Sequence, residues 1–231
     1  MVFSMQINKN DCQDKSIRIR EIEKKAIKIW VLRILIIMDG NIKFIGKHYF
    51  DFNEIARLLD LEKISHEDYD SQIAFWEISS QFESINKNTS GLPNNTVLAK
   101  NIKQLAKAFS LTTIESQILH FTVLVKTNPI LGEAIDLLGF NKPSVVARLY
   151  ASCLSIDSNL VSQALRSDGN LNKTGLLTLE EGTYYSFDSK VNILDELLEN
   201  IDIPTTSPIE MFKSSFCLTS PAKLGQIKIK N

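Results

Sequence analysis

The chain has 231 residues, 44% of them hydrophobic and 23% charged, with a formal net charge of −1. That length and composition suit a protein that buries a core in one large or two modest domains, and they exclude wholesale disorder. A balance so near neutrality gives no overall attraction to nucleic acid or to an anionic membrane.

Charge is nevertheless unevenly placed. Residues 1–47 carry ten Lys/Arg against five Asp/Glu, whereas residues 51–83 carry nine acids against Arg57 and Lys63. Mutual attraction of the two parts is the simpler consequence; weak affinity of the N-terminal arm for polyanions is the other. Cys12, Cys153 and Cys217 lie far apart with no C-x-x-C pair. This argues against a disulfide framework or a zinc site and fits a reducing cytoplasm. A polar run, Gln6 to Ser16, precedes any apolar stretch, so no signal peptide is expected. The most apolar run, Ile29 to Met38, is ten residues long and contains Arg33. A bilayer span needs about 20, so a buried helix of a soluble protein is expected.

In chain order, residues 1–15 read as a flexible arm. Ser16 then caps a helix whose Ile19, Ile22, Ala26, Ile29, Trp30, Arg33 and Ile37 recur at helical spacing. Asp39-Gly40 ends it, Gly40 supplying the left-handed residue. Gly40, Gly46 and Lys47 approach a phosphate-binding loop, but five residues separate the glycines and His48 replaces the Ser/Thr that would hold magnesium. These departures rule it out. A short amphipathic helix over 51–61 uses Ile55, Leu58 and Leu59. Ser65 caps the next, with Glu67, Asp68 and Asp70 in its first turn and Ile73, Phe75, Trp76, Ile78 and Phe82 on its core face. Turn formers fill residues 86–95, which mark a domain boundary.

Beyond the boundary a helix spans 96–109. Thr112 and Glu115 form a capping box for the next, whose stripe is Ile114, Ile118, Leu119, Phe121 and Val125. Pro129 opens a helix that Gly139 stops. Lys142-Pro143-Ser144 begins another, carrying Val145, Val146, Leu149, Tyr150 and Cys153, and Ser155-Ile156-Asp157 caps a fourth. Leu176, Leu177 and Leu179 are then set against Tyr184, Tyr185 and Phe187 across Glu180–Thr183, a β-hairpin pattern with Gly182 in the turn. A helix from Val191 to Ile201 and a polar tail follow.

The order helix, Gly turn, helix, helix, hairpin is that of a winged helix, whose second helix of the pair enters the DNA major groove. Here Lys142, Ser144, Arg148 and Tyr150 would be its exposed face, with Lys173 nearby and the segment around Gly182 as the wing. The basic footprint of a DNA binder is thin, however, and Glu180 and Glu181 make the wing acidic. His48, His66 and His120 are scattered with no metal spacing, and His120 reads as a satisfied core or edge histidine. Trp30, Phe75, Trp76, Phe82 and Phe109 read as core. No G-x-S-x-G elbow or other catalytic constellation is present.

The segments Leu98–Lys107, Leu111–Leu119, Asn128–Gly139, Ser167–Leu177 and Lys190–Leu198, and more loosely the Trp30 helix, resemble in order and spacing the region preceding the ATPase module in a group of bacterial AAA-family ATPases. In that group a phosphate-binding loop would follow shortly after the position of Pro221; this chain carries none before Asn231. The resemblance therefore implies a recognition or regulatory region without its motor, with no cofactor of its own. Its partner would be a protein or the AAA ATPase module, and self-association is open. The expectation is a mainly α protein: a helical bundle unit (16–85), a winged-helix-like unit with a short β-hairpin (95–200) and a C-terminal tail (201–231). Nucleic-acid binding through Lys142, Ser144, Arg148 and Lys173 is the alternative.

Overall fold

A computed structural model describes residues 9–45, 54–61, 70–85, 91–139, 144–180 and 186–212. Outside them lie Gly46, Lys47, His48, Ser65, His66, Glu67, Asp68, Lys142, Glu181, Gly182, Tyr184, Tyr185 and the tail beyond Phe212. The fold is mainly α with one antiparallel pair of short strands.

The longest helix, α1 (Lys9–Ile37), starts well before Ser16. From Ala26 to Leu35 its residues are buried on nearly every side, apart from Lys28, the signature of a helix enclosed by others. It packs against α4 (Ser71–Ser84), α7 (Pro129–Asp136) and α8 (Ser144–Leu154). The second central helix, α6 (Thr113–Thr127), lies among α5 (Val97–Ala108), α7, α9 (Ser158–Ala164) and α10 (Asn170–Lys173). Short α2 (Asn41–Phe44) and α3 (Glu54–Leu58) close the sides of α1 and α7, respectively. An aromatic series, Trp30–Phe121–Tyr150–Phe187, runs edge to face through the centre at ring separations of 5.0, 5.8 and 6.3 Å. Contacts of this geometry contribute about 1 kcal/mol each beyond simple burial. One hydrophobic cluster contains residues from both sides of segment 86–95.

Several helix starts follow the sequence rules. Thr96 caps α5 by accepting from Ala99 N, Asn128 caps α7 ahead of Pro129, and Asp157 caps α9. The capping box is complete: Thr112 Oγ1 accepts from Glu115 N and Glu115 Oε2 from Thr112 N. Glu115 also joins α6 to α10, because its Oε1 accepts from Asn170 N at 2.6 Å. Asn101, buried on α5, donates to the carbonyls of Ile201 and Ile203 and accepts from Thr205 Oγ1. It thereby ties down the chain that follows α12 (Asp195–Asn200) and leads to the 3-10 turn Pro208–Phe212.

Four expectations are corrected. The left-handed residue after α1 is Asp39 (φ 61°), while Gly40 is right-handed. A glycine suits position 40 because the Gly40 N–H bonds Ile34 O, and an added Cβ would come within 3.0 Å of that oxygen. In α4, which begins at Ser71 with Asp70 as its cap, the buried stripe is Ala74, Ile78 and Phe82. These residues recur every four positions and make a narrow seam; Ile73, Phe75 and Trp76 fall off it and are 51%, 46% and 67% exposed. The partner of β1 (Leu177–Leu179) is β2 (Val191–Ile193), in the register Leu177↔Ile193 and Leu179↔Val191. Val191, Asn192 and Ile193 alternate buried, exposed, buried, a two-residue period that outweighs their place at the head of a helical run. Between the strands, one helical turn, α11 (Phe187–Lys190), buries Phe187 against Tyr150 instead of setting it across from β1.

Arg33 is 1% exposed within α1, and its guanidinium donates to the carbonyl of Cys153 in the last turn of α8. Replacing Arg33 with Ala removes a charge-assisted hydrogen bond and opens a cavity, so urea unfolding should show a loss of about 3 kcal/mol. Arg148→Ala, at an exposed ion pair, should cost less than about 1 kcal/mol. Equal effects of the two changes would contradict the role given to Arg33.

Candidate functional site

Ser144 and Arg148 lie one turn apart on the exposed side of α8. Lys173 is exposed at the end of α10, which packs on α6 and β1. Arg148 is already engaged. Its Nη2 donates to Ile37 O at 2.9 Å and stands 3.8 Å from the Asp39 carboxylate, closing off the C-terminus of α1. Tyr150, assigned to the same exposed face from the sequence, is fully buried. Its hydroxyl pairs with Thr122 Oγ1 at 2.7 Å, and burial drives its pKa upward. The reason is positional: Val146, Leu149, Tyr150 and Cys153 share one face of α8, and that face meets α1 and α6. At the strand pair, Glu180 accepts from Asn192 Nδ2, and its backbone carbonyl accepts from Lys190 Nζ.

A different arrangement lies on the other side of α6. Thr113, Ser116, Gln117 and His120 recur at helical spacing and line a cleft of about 330 Å³. The facing stripe is Ala99, Ile102, Lys103 and Ala106 of α5, and Leu92, Asn94 and Leu111 close its ends. His120 is 6% exposed, and its Nε2 has no hydrogen-bond partner among the described residues. It is a core histidine, as the sequence suggested, but it is not satisfied. Burial, with Lys103 nearby, lowers its pKa from 6.5 to about 4, so the imidazole is neutral at pH 7. The sequence held a usable signal: residues 113, 116, 117 and 120 recur at helical spacing as a polar stripe beside the apolar one of Ile114, Ile118, Leu119, Phe121 and Val125.

A second cleft, of about 380 Å³, lies between α1, α3 and the start of α7, with Glu23, Lys24, Glu54, Arg57 and Asn128 in its wall. Arg57 pairs with Glu54 of its own helix. Burial and the nearby Asp202 raise the pKa of Glu23. The Cys153 thiol is buried and pushed up to about 12, a group too protonated to act as a nucleophile at neutral pH. Among the described residues no three His, Cys, Asp or Glu side chains group as metal ligands, and no helix is long and apolar enough to cross a membrane.

The buried histidine couples stability to pH. The unfolded chain takes up a proton on His120 near pH 6.5, and the folded chain only near pH 4. Between these values the unfolded state binds more protons, so stability falls as pH drops through that window, by about 3 kcal/mol, and is flat above it. Glu23, Asp136 and Asp202, with raised pKa values, act in the opposite sense. The difference between wild type and His120→Phe isolates the histidine: the gap in unfolding free energy should shift in favour of the variant as pH falls from 6.5 to 4. A gap independent of pH would contradict the assignment.

No family model matches the chain, and no curated protein or solved structure is significantly similar to it.

Proposed function

We propose that this chain is a non-catalytic recognition or regulatory region that docks a protein partner, equivalent to the part of an AAA-family ATPase that lies ahead of its ATPase module. The observation that carries the docking half of this reading is the outer face of α4, where Ile73, Phe75 and Trp76 are exposed together. Aromatic side chains held out on a rigid helix bury large areas at little entropic cost, and Trp is prominent among residues that dominate interfaces. Between Ser71 and Ser84 the helix carries Glu77 and Glu83 and no Lys or Arg, and Asp70 caps it. The complementary surface is therefore apolar with a basic rim. The assignment to an ATPase rests on the segment resemblance alone, and in that arrangement the ATPase module supplies the force.

The nucleic-acid reading draws on the succession α7, α8 and the strand pair. Arg148 weighs against it, because the cation that would meet phosphate already neutralises Asp39 and caps α1. If DNA were the ligand, affinity would fall steeply with salt and collapse on Arg148→Glu.

Affinity capture with the whole chain tests the proposal. Proteins retained by wild type, an AAA-type ATPase among them, should fall by about tenfold or more with Trp76→Glu. They should be retained by Ile209→Glu, which changes an exposed apolar residue elsewhere. Identical capture by wild type and Trp76→Glu, or steady ATP turnover by the purified chain, would overturn it.

A further inference from the structure

We infer that the cleft between α5 and α6 is a binding site for a small organic carboxylate with an apolar body, its carboxylate held between Lys103 and His120. This inference is independent of the docking face on α4. Two facing helical stripes line the cleft, and its volume of about 330 Å³ lies at the lower end of the range of small-molecule sites. Its lining is mixed in the way such sites are. Ile102, Ala106 and Leu111 supply apolar wall, and the polar groups converge from one side of α6.

His120 is the observation that points to a ligand. A buried imidazole nitrogen without a hydrogen bond is destabilising, and Nε2 has no partner among the described residues. Ser116 and Gln117, one turn earlier on α6, line the same cleft, yet neither bonds Nε2, and Ala99 and Ile102 of the α5 wall are apolar. The sign of the ligand follows from the charges. Lys103 is the one charged side chain among the lining residues, and no acid is present. In the tautomer that carries its proton on Nε2, the neutral imidazole and the Lys103 ammonium both donate, so the ligand group that satisfies both is an anionic oxygen acceptor. The length follows from helix geometry. Thr113 and His120 are seven residues apart, about 10 Å along the α6 axis, so a chain of several carbons would extend from the carboxylate toward Leu111.

The test uses the whole chain with ¹⁵N-labelled histidine, titrated with hexanoate and benzoate and, as a neutral control, hexanamide. Binding of either acid should shift the His120 imidazole resonances toward the hydrogen-bonded Nε2–H form, with the amide much weaker. Lys103→Gln should weaken the acid by about tenfold or more while leaving the fold, and the His120 signal without ligand, in place. His120→Phe, which fills the buried space with an apolar ring, should abolish saturable binding of the acids measured calorimetrically. Absence of any His120 shift at millimolar acid would overturn the inference, as would acid binding unaffected by Lys103→Gln or equal binding of acid and amide.

Discussion

A guanidinium lies inside the most apolar helix of the chain, and the arrangement of the other helices has to accommodate it. Removing such an ion from water costs several kcal/mol, and only well-placed acceptors recover it. Arg33 donates to a carbonyl in the last turn of α8, where unsatisfied backbone oxygens and the helix dipole both favour a cation. Helix α8 returns the contact, since Arg148 reaches Ile37 O at the corresponding end of α1. Two helices that each supply an arginine to the other's C-terminal end can meet in few registers. This one aligns Trp30, Phe121, Tyr150 and Phe187 into a continuous edge-to-face series.

The same device recurs wherever the core must fix one arrangement among several greasy alternatives. Glu115 holds the starts of α6 and α10 together, and Asn101 fastens the segment after α12 with three hydrogen bonds from a fully buried amide. Thr122 and Tyr150 satisfy each other between α6 and α8. Apolar packing supplies most of the stabilisation, but it is non-directional; these buried polar pairs specify which helix faces meet. Against that pattern, His120 Nε2, like the side-chain oxygens of Gln81 and Gln104, has no partner among the described residues, and Ile73, Phe75 and Trp76 are exposed. Each is a local departure from the rule that polar atoms are paired and aromatic surface is covered, and such departures concentrate where proteins bind.

Much of this was legible from residue order. Caps are local, so Thr112 with Glu115, Pro129 in a first turn and Ser155-Ile156-Asp157 announce their helices within four residues of sequence. The mainly helical class follows from periodicity over long windows. What escaped depends on distance in space. Val191–Ile193 becomes a strand because Leu177–Leu179 lies beside it, and three residues are too few for a period to declare itself. The seam of α4 is a choice between two overlapping stripes that the helix alone does not make. Arg33 reads as an interruption of an apolar run until Cys153 O, 120 positions away, is seen to accept from it. Arg148 reads as a free cation until Asp39 and Ile37 appear opposite.

The functional reading rests on that rigidity: a docking face and a ligand cleft are selective when the helices bearing them cannot shift independently. Native-state amide hydrogen exchange measures this directly. If the Arg33 clasp and the aromatic series bind the halves of the chain into one cooperative core, the slowest amides of α1, α6 and α8 will exchange with a common free energy equal to that of global unfolding. Exchange of the α8 amides at a clearly lower free energy, with α1 still protected, would contradict the account.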